Sequence, residues 1–341
     1  MMKRLSSFLV AITFLFSCKK EKGNGDVIPP SDLVVKAEVS SDNSGNVLFT
    51  ATAKNAVNYE FDLGNGVFKL EPTGKLNYKY PSTGNYEVKV FAKNSAGQMV
   101  SKFLQVSVNV SSSLLWSDEF NIAGSPDPSK WNYDIGTGSG GWGNNELQYY
   151  TSRQENVYVS NGTMKIVAKK ESFGGSNYTS ARLLTRDKFS FKYGKVEARA
   201  KLPAGVGTWP AIWMLGANIG TVGWPSCGEI DIMEHKGSQL NKIYGTIHYP
   251  GFSGGNAVGG TTSISNATTE FHIYSVEWSE TAIRFFVDGI SYFNVANSSS
   301  IPFNHNFFLL LNVAMGGNFG GAVDPLISQA QMEIDYIRVY Q

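Results

Sequence analysis

The run Gly228-Glu229-Ile230-Asp231-Ile232-Met233-Glu234 decides how this chain reads. Three acids alternate with Ile, Ile and Met, a mixture at odds with a solvated loop. It describes a β-strand with one apolar and one acidic face. Side chains on a strand alternate, so Glu229 and Asp231 point the same way and position 233 should follow. Position 233 is Met, and the third acid comes one residue late. A β-bulge at Ile232-Met233 restores the phase and brings all three acids onto one face. Like charges on one face repel, so something must be gained by keeping them there. One such gain is retaining glycoside hydrolysis, which needs a nucleophile and a proton donor about 5–5.5 Å apart. Backbones four pleat steps apart lie roughly 13 Å from each other, so the strand must bend and the side chains converge. The competing reading is an acidic strand that only guards against edge-to-edge aggregation.

The surrounding chain has 341 residues, enough for two domains, and its net charge of +1 offers no basic stripe for nucleic acid. Charged residues make up 17% while Gly, Tyr, Phe and Trp are plentiful, a profile that suits an all-β protein with many turns and an aromatic binding surface. Residues 1–17 read as a targeting segment. Lys3 and Arg4 precede a short apolar core from Phe8 to Phe16, too short to span a bilayer. Leu15-Phe16-Ser17-Cys18 resembles a bacterial lipoprotein signal, with Cys18 as the lipid-bearing residue. Residues 18–30 then form a solvated tether, and the expected location is the bacterial cell envelope, as an outer-membrane lipoprotein, periplasmic or surface-exposed. Cys227 is then without a partner, so no internal disulfide is expected; it reads as a small buried filler.

Residues 31–110 read as a small sandwich of short strands. Val34, Ala37 and Val39, then Leu48-Phe49, Tyr59 and Phe61, and Tyr86, Val88 and Val90 are separated by turns at Gly64-Asn65-Gly66 and Ser95-Ala96-Gly97. With no cluster of exposed aromatics foreseen there, a spacer is expected. Ser111-Ser112-Ser113 is the expected linker. Residues 114–341 continue in strands. Val196, Ala198, Ala200 and Leu202 alternate with Lys195, Glu197, Arg199 and Lys201, a half-buried antiparallel strand. Asp288-Gly289 marks a hairpin turn. Gly254-Gly255 to Gly259-Gly260 lacks the Lys-Ser/Thr of a phosphate loop and reads as a mobile loop at a cleft edge.

Several motifs carry a family resemblance. Glu229-Ile-Asp-Ile-Met-Glu234, Trp142-Gly-Asn-Asn-Glu-Leu-Gln-Tyr-Tyr150, Tyr193-Gly-Lys-Val-Glu-Ala-Arg-Ala-Lys-Leu-Pro203, Thr208-Trp-Pro-Ala-Ile-Trp-Met-Leu215 and Ile334-Asp-Tyr-Ile-Arg-Val-Tyr340 are similar, in order, to glycoside hydrolase family 16 in its laminarinase-like form. Tyr59–Gly66 and Tyr78–Val90 resemble a PKD-type immunoglobulin-like module, departing from it at Phe61, Leu63 and Asn65. The first resemblance implies a concanavalin-like β-jelly-roll over 114–341, with Glu229 as nucleophile, Glu234 as acid/base and Asp231 between them. It implies Asn145, Arg182, Trp209 and Trp213 as substrate-binding positions; Trp224 and His248 join them by their places shortly before and after the acidic strand, and Glu146, in the loop of Asn145, reads as an orienting acid. It also implies a structural calcium held by Glu119, the carbonyl of Gly162 and Asp335, with no cofactor for catalysis. The expected function is endo-acting hydrolysis of β-1,3-glucan or mixed-linkage β-1,3-1,4-glucan by a monomer. A sulfated-galactan hydrolase, a non-catalytic β-glucan-binding protein and a transglycosylase are the alternatives. Binding proteins typically lose one of the acids, and here all three are present.

Overall fold

The computed structural model describes residues 28–341, and the segment carrying Cys18 lies outside them. Among the described residues no helix is long and apolar enough to cross a membrane. The chain folds into two β units, each around its own apolar cluster. In the first, a three-stranded sheet (Ser31–Val39, Asn46–Lys54, Lys75–Lys79) faces a four-stranded one (Phe68–Glu71, Asn58–Asp62, Gly84–Lys93, Met99–Val108). Phe49, Phe61, Leu63, Tyr80, Val88 and Val90 fill the space between them, all fully buried.

The outer face of the four-stranded sheet departs from expectation. Phe68 and Phe103 are 59% and 55% exposed, and Lys89 Nζ lies 4.9 Å and 4.7 Å from the rings of Phe91 and Phe103. These strands carry apolar residues on both faces, so alternation alone does not say which aromatics turn outward.

The second unit is a jelly roll. Its outer sheet is ten-stranded, with Gly194–Lys201 between Gln329–Tyr340 and His272–Trp278. Val196, Ala198 and Ala200 are fully buried beneath it. Their neighbours form surface ion pairs, Arg199 with Asp335 at 2.6 Å and Lys201 with Glu333 at 2.8 Å. The hairpin turn at Asp288-Gly289 has both residues left-handed, φ 49° and 77°, as a two-residue hairpin requires. Ser113 and Gln341 exchange backbone hydrogen bonds of 2.7 and 3.0 Å, so the expected linker is pinned to the last residue of the chain.

The inner sheet has seven strands in the order Val258–Ser263, Lys242–His248, Glu229–His235, Thr208–Gly216, Phe307–Met315, Arg182–Leu184, Asn132–Asp134. Ile212, Met214, Ile230, Leu309 and Leu311 point into the inter-sheet core. Ala211, Trp213, Leu215, Phe308 and Leu310 form a second apolar cluster on the opposite face. Phe307–Met315 is therefore buried at every position, which is how a near-continuous apolar run reads in a strand covered on both sides.

The bulge falls where parity demanded it. Asp231 pairs with Thr246 and Glu234 with Tyr244, so Ile232 and Met233 together oppose Gly245. On the other side Met233 pairs with Ile212 and Asp231 with Trp213, leaving Ile232 as the extra residue. A Cβ on Gly245 would stand 2.5 Å from the Tyr292 hydroxyl and 2.7 Å from Phe285 Cδ1. The bulged strand thus depends on a neighbour without a side chain. Gly245→Val is expected to cost about 1–3 kcal/mol of overpacking and to lower Tm by roughly 2–12 °C. Scanning calorimetry checks this, and an unchanged Tm would refute the packing argument.

The Gly254–Gly260 stretch is only half a loop. Gly254–Asn256 is a single turn, but Gly259 and Gly260 lie within the Val258–Ser263 strand and pair with Thr246 and Gly245. A Cβ on Gly260 would stand 2.6 Å from Phe293 Cβ. That glycine is there for close approach of the Ile290–Ala296 strand of the other sheet, not for mobility.

Candidate active site

The bulge turns Glu229, Asp231 and Glu234 into one cavity of about 500 Å³ on the face of the inner sheet away from the core. Asp231 and Glu234 are 4% and 7% exposed. Burial holds all three carboxyls above their usual range, because the charged form loses water. Glu229 is pushed up to about 8, by burial and then by the neighbouring Asp231. For Asp231 the second cause is Glu234, so the three acids resist ionising together.

Each outer acid has its own donors. Trp224 Nε1–H donates to Glu229 Oε2 at 2.7 Å. Trp209 Nε1–H donates to Glu234 Oε1 and the Thr246 hydroxyl to Oε2, both at 3.0 Å. His248 stands opposite Glu229 in the register. Its Nδ1 accepts from the Gly254 N–H at 3.1 Å, which leaves Nε2 to face the acids. That nitrogen is 3.1 Å from Asp231 Oδ2 and 3.9 Å from Glu229 Oε1. Trp209, Trp213 and Trp224 line the same cavity, offering rings that suit sugar faces.

Residues 144–338 match the profile of Glycosyl hydrolases family 16, and residues 32–110 that of the PKD domain. The chain belongs to glycosyl hydrolases family 16. It is a glycoside hydrolase. It is 46% identical to the beta-glucanase of Rhodothermus marinus over 244 residues, which is 67% of this chain and 85% of that protein. It is 39% identical to glucan endo-1,3-beta-glucosidase A1 of Niallia circulans over 67% of this chain, although the match spans only 38% of that protein. The structure of LamA from Z. galactanivorans in complex with laminaritriose and laminaritetraose superposes with a TM-score of 0.62 at 46% identity, covering 67% of this chain and 99% of that one.

The hydrolase's remaining cleft residues divide sharply. Arg182 reaches the cavity with its guanidinium 4.5 Å from the Trp142 ring and 4.8 Å from the Trp213 ring, and it pairs with Asp134 at 2.9 Å. Glu146 accepts from Gln148 at 2.7 Å, Tyr150 at 3.0 Å and Asn144 at 3.3 Å, so it ties down the loop it belongs to. Asn145 does not line the cavity; its amide donates to Asn318 at 2.9 Å. Trp142 and Asn145 both adopt left-handed backbone, and the resulting twist presents Trp142, Gly143 and Asn144 instead. Thr246, Asn312, Asn318 and Phe319 also line the cavity and were not foreseen. Asn312 carried a signal, as the one polar residue in Phe307–Met315. It accepts from Trp213 Nε1 at 2.8 Å and donates to the Tyr150 hydroxyl at 3.0 Å.

Cys227 is a buried free thiol pushed up to about 11 by burial, a packing residue and no nucleophile. The calcium positions hold other partners. Arg338 grips both oxygens of Glu119 at 2.9 and 2.7 Å, and Arg199 takes Asp335 Oδ2 at 2.6 Å. As arranged, the Glu119 and Asp335 carboxylates are both engaged by guanidinium groups.

Proposed function

We infer that the chain is an endo-acting retaining hydrolase of β-1,3-glucan, of laminarin or mixed-linkage type, with Glu229 as nucleophile and Glu234 as acid/base. The observation that carries this reading is the bulged strand, with buried Asp231 and Glu234 and half-buried Glu229 in one cleft beside three tryptophans. The relatives named for β-glucan and for endo-1,3-β-glucan support the substrate class. Glu229 attacks the anomeric carbon while Glu234 protonates the departing oxygen, giving a glycosyl ester; Glu234 then takes a proton from water, which releases the sugar. Asp231 stays between them and shares proton and charge with Glu229. The chemistry needs no cofactor.

The test is product profiling on laminarin, barley β-glucan, lichenan, agarose and porphyran, with early-time NMR of the new chain end. Laminarin is expected to be cut internally and the first-formed product to keep the β configuration. An α product would exclude double displacement, and preference for agarose or porphyran would move the chain to a galactan substrate.

We also propose that the enzyme sits at a bacterial cell envelope, anchored through Cys18. Residues 1–18 support it by their charge, apolar run and Cys position. Labelled palmitate is expected to mark the protein and to vanish in Cys18→Ala; persistent labelling in that variant would defeat the anchor.

A further inference from the structure

Glu234 is asked to give a proton in one step and take one in the next, and its two oxygens are not equivalent. Oε1 faces the Trp209 indole N–H, which can only donate. Oε2 faces the Thr246 hydroxyl, which can donate or accept. The proton of the acid form therefore belongs on Oε2.

We propose that Thr246 is the positioning residue through which Glu234 alternates between acid and base, with Trp209 fixing which oxygen carries the proton. In the empty cleft Oε2–H rests on the Thr246 oxygen. When substrate arrives that proton turns to the glycosidic oxygen and follows it as the C–O bond breaks and the Glu229–carbon bond forms. The Thr246 hydroxyl then turns to donate to the ionised Oε2. In the second step a water proton passes to Oε2, the water oxygen bonds to carbon, and the Glu229 ester bond breaks. The site has room for that rotation. Thr246 lies beside Gly259 in the register, where a Cβ would crowd the hydroxyl at 3.3 Å and glycine leaves that side open.

The groups facing Glu234 come from several elements. Asp231, Glu229 and Lys236 lie on or next to its own strand, His248 on the adjacent strand, and Tyr292 behind Gly245. None of them contacts Oε2 as a hydroxyl that both donates and accepts.

This inference rests on the acid/base role proposed for Glu234. Thr246→Val and Thr246→Ser are compared by pH profiles of kcat and kcat/KM on laminarin. Losing one hydrogen bond to a charged group is worth roughly tenfold to a hundredfold. Thr246→Val is expected to lose that much in kcat with KM nearly unchanged, and its alkaline limb should move upward, because the ionised acid has lost a donor. Thr246→Ser is expected to recover most of the rate and the limb. Equal impairment of both variants would make Thr246 a packing residue, and an unaltered Thr246→Val would remove it from the mechanism. A Glu234→Gln variant that stays active would instead overturn the acid/base role itself, so the two failures are told apart.

Discussion

Glu229→Gln is expected to lower kcat/KM on laminarin by at least about 10⁴-fold while laminari-oligosaccharides still bind. An amide cannot form the glycosyl ester, so the loss falls on the chemical step. The swap preserves shape, and Trp224 Nε1–H, now 2.7 Å from Glu229 Oε2, can still donate to an amide oxygen. Binding by calorimetry should therefore change only a few-fold. Near-normal turnover would remove Glu229 as nucleophile.

The same substitution is expected to stabilise the protein. An unfolded Glu titrates near 4.5, whereas Glu229 is pushed up to about 8. Between those values the empty folded cleft keeps, shared among its three interacting acids, a proton that the unfolded chain has released, and that proton settles on Glu234 when Glu229 attacks, so wild-type stability falls as pH rises across the window. Each pH unit of displacement is worth about 1.4 kcal/mol. The Glu229 side chain is 17% exposed and water moderates the effect. Half of the displacement still leaves the wild type about 2 kcal/mol below the Gln variant at pH 8. The variant's Tm should exceed the wild type's by about 4–8 °C there, and the gap should close toward pH 4. A gap that widened on acidification would contradict the burial argument.

What could be read from the sequence follows from how local each signal is. The bulge was legible because parity is a property of one strand, and Met233 between Asp231 and Glu234 breaks it visibly. Trp209 and Trp213 sharing a face followed from the same alternation. Asn145 failed because the Gly141–Asn145 segment contains left-handed residues, and no alternation survives there. Gly259 and Gly260 looked like loop residues because their reason lies across the fold, in the Thr246 hydroxyl and the Phe293 ring. Thr246 itself was invisible for the same cause. Its importance comes from standing opposite Asp231 in a paired strand, beside a bulge that brings Glu234 back within reach.

Glu234→Gln is expected to divide substrates by their leaving groups. On laminarin the departing sugar oxygen needs a proton, and losing the acid should cost about 10²–10⁴-fold. On a laminari-oligosaccharide carrying a dinitrophenyl group the leaving phenolate departs unaided, so the first step should lose far less. The second step still lacks its base, and the glycosyl-enzyme should accumulate and be visible by intact-mass spectrometry. The pH profile carries a second signature. Burial raises the Glu234 carboxyl, against the opposing pull of His248, Thr246, Trp209 and Lys236. Wild-type kcat/KM should therefore fall on the alkaline side as that proton is lost, and the fall should be absent in the variant. The Lys236 ammonium is held 4.0 Å from the Phe319 ring, which fixes its place beside the site. Equal losses on both substrates, with the alkaline limb intact, would mean that the proton reaches the sugar oxygen from another group.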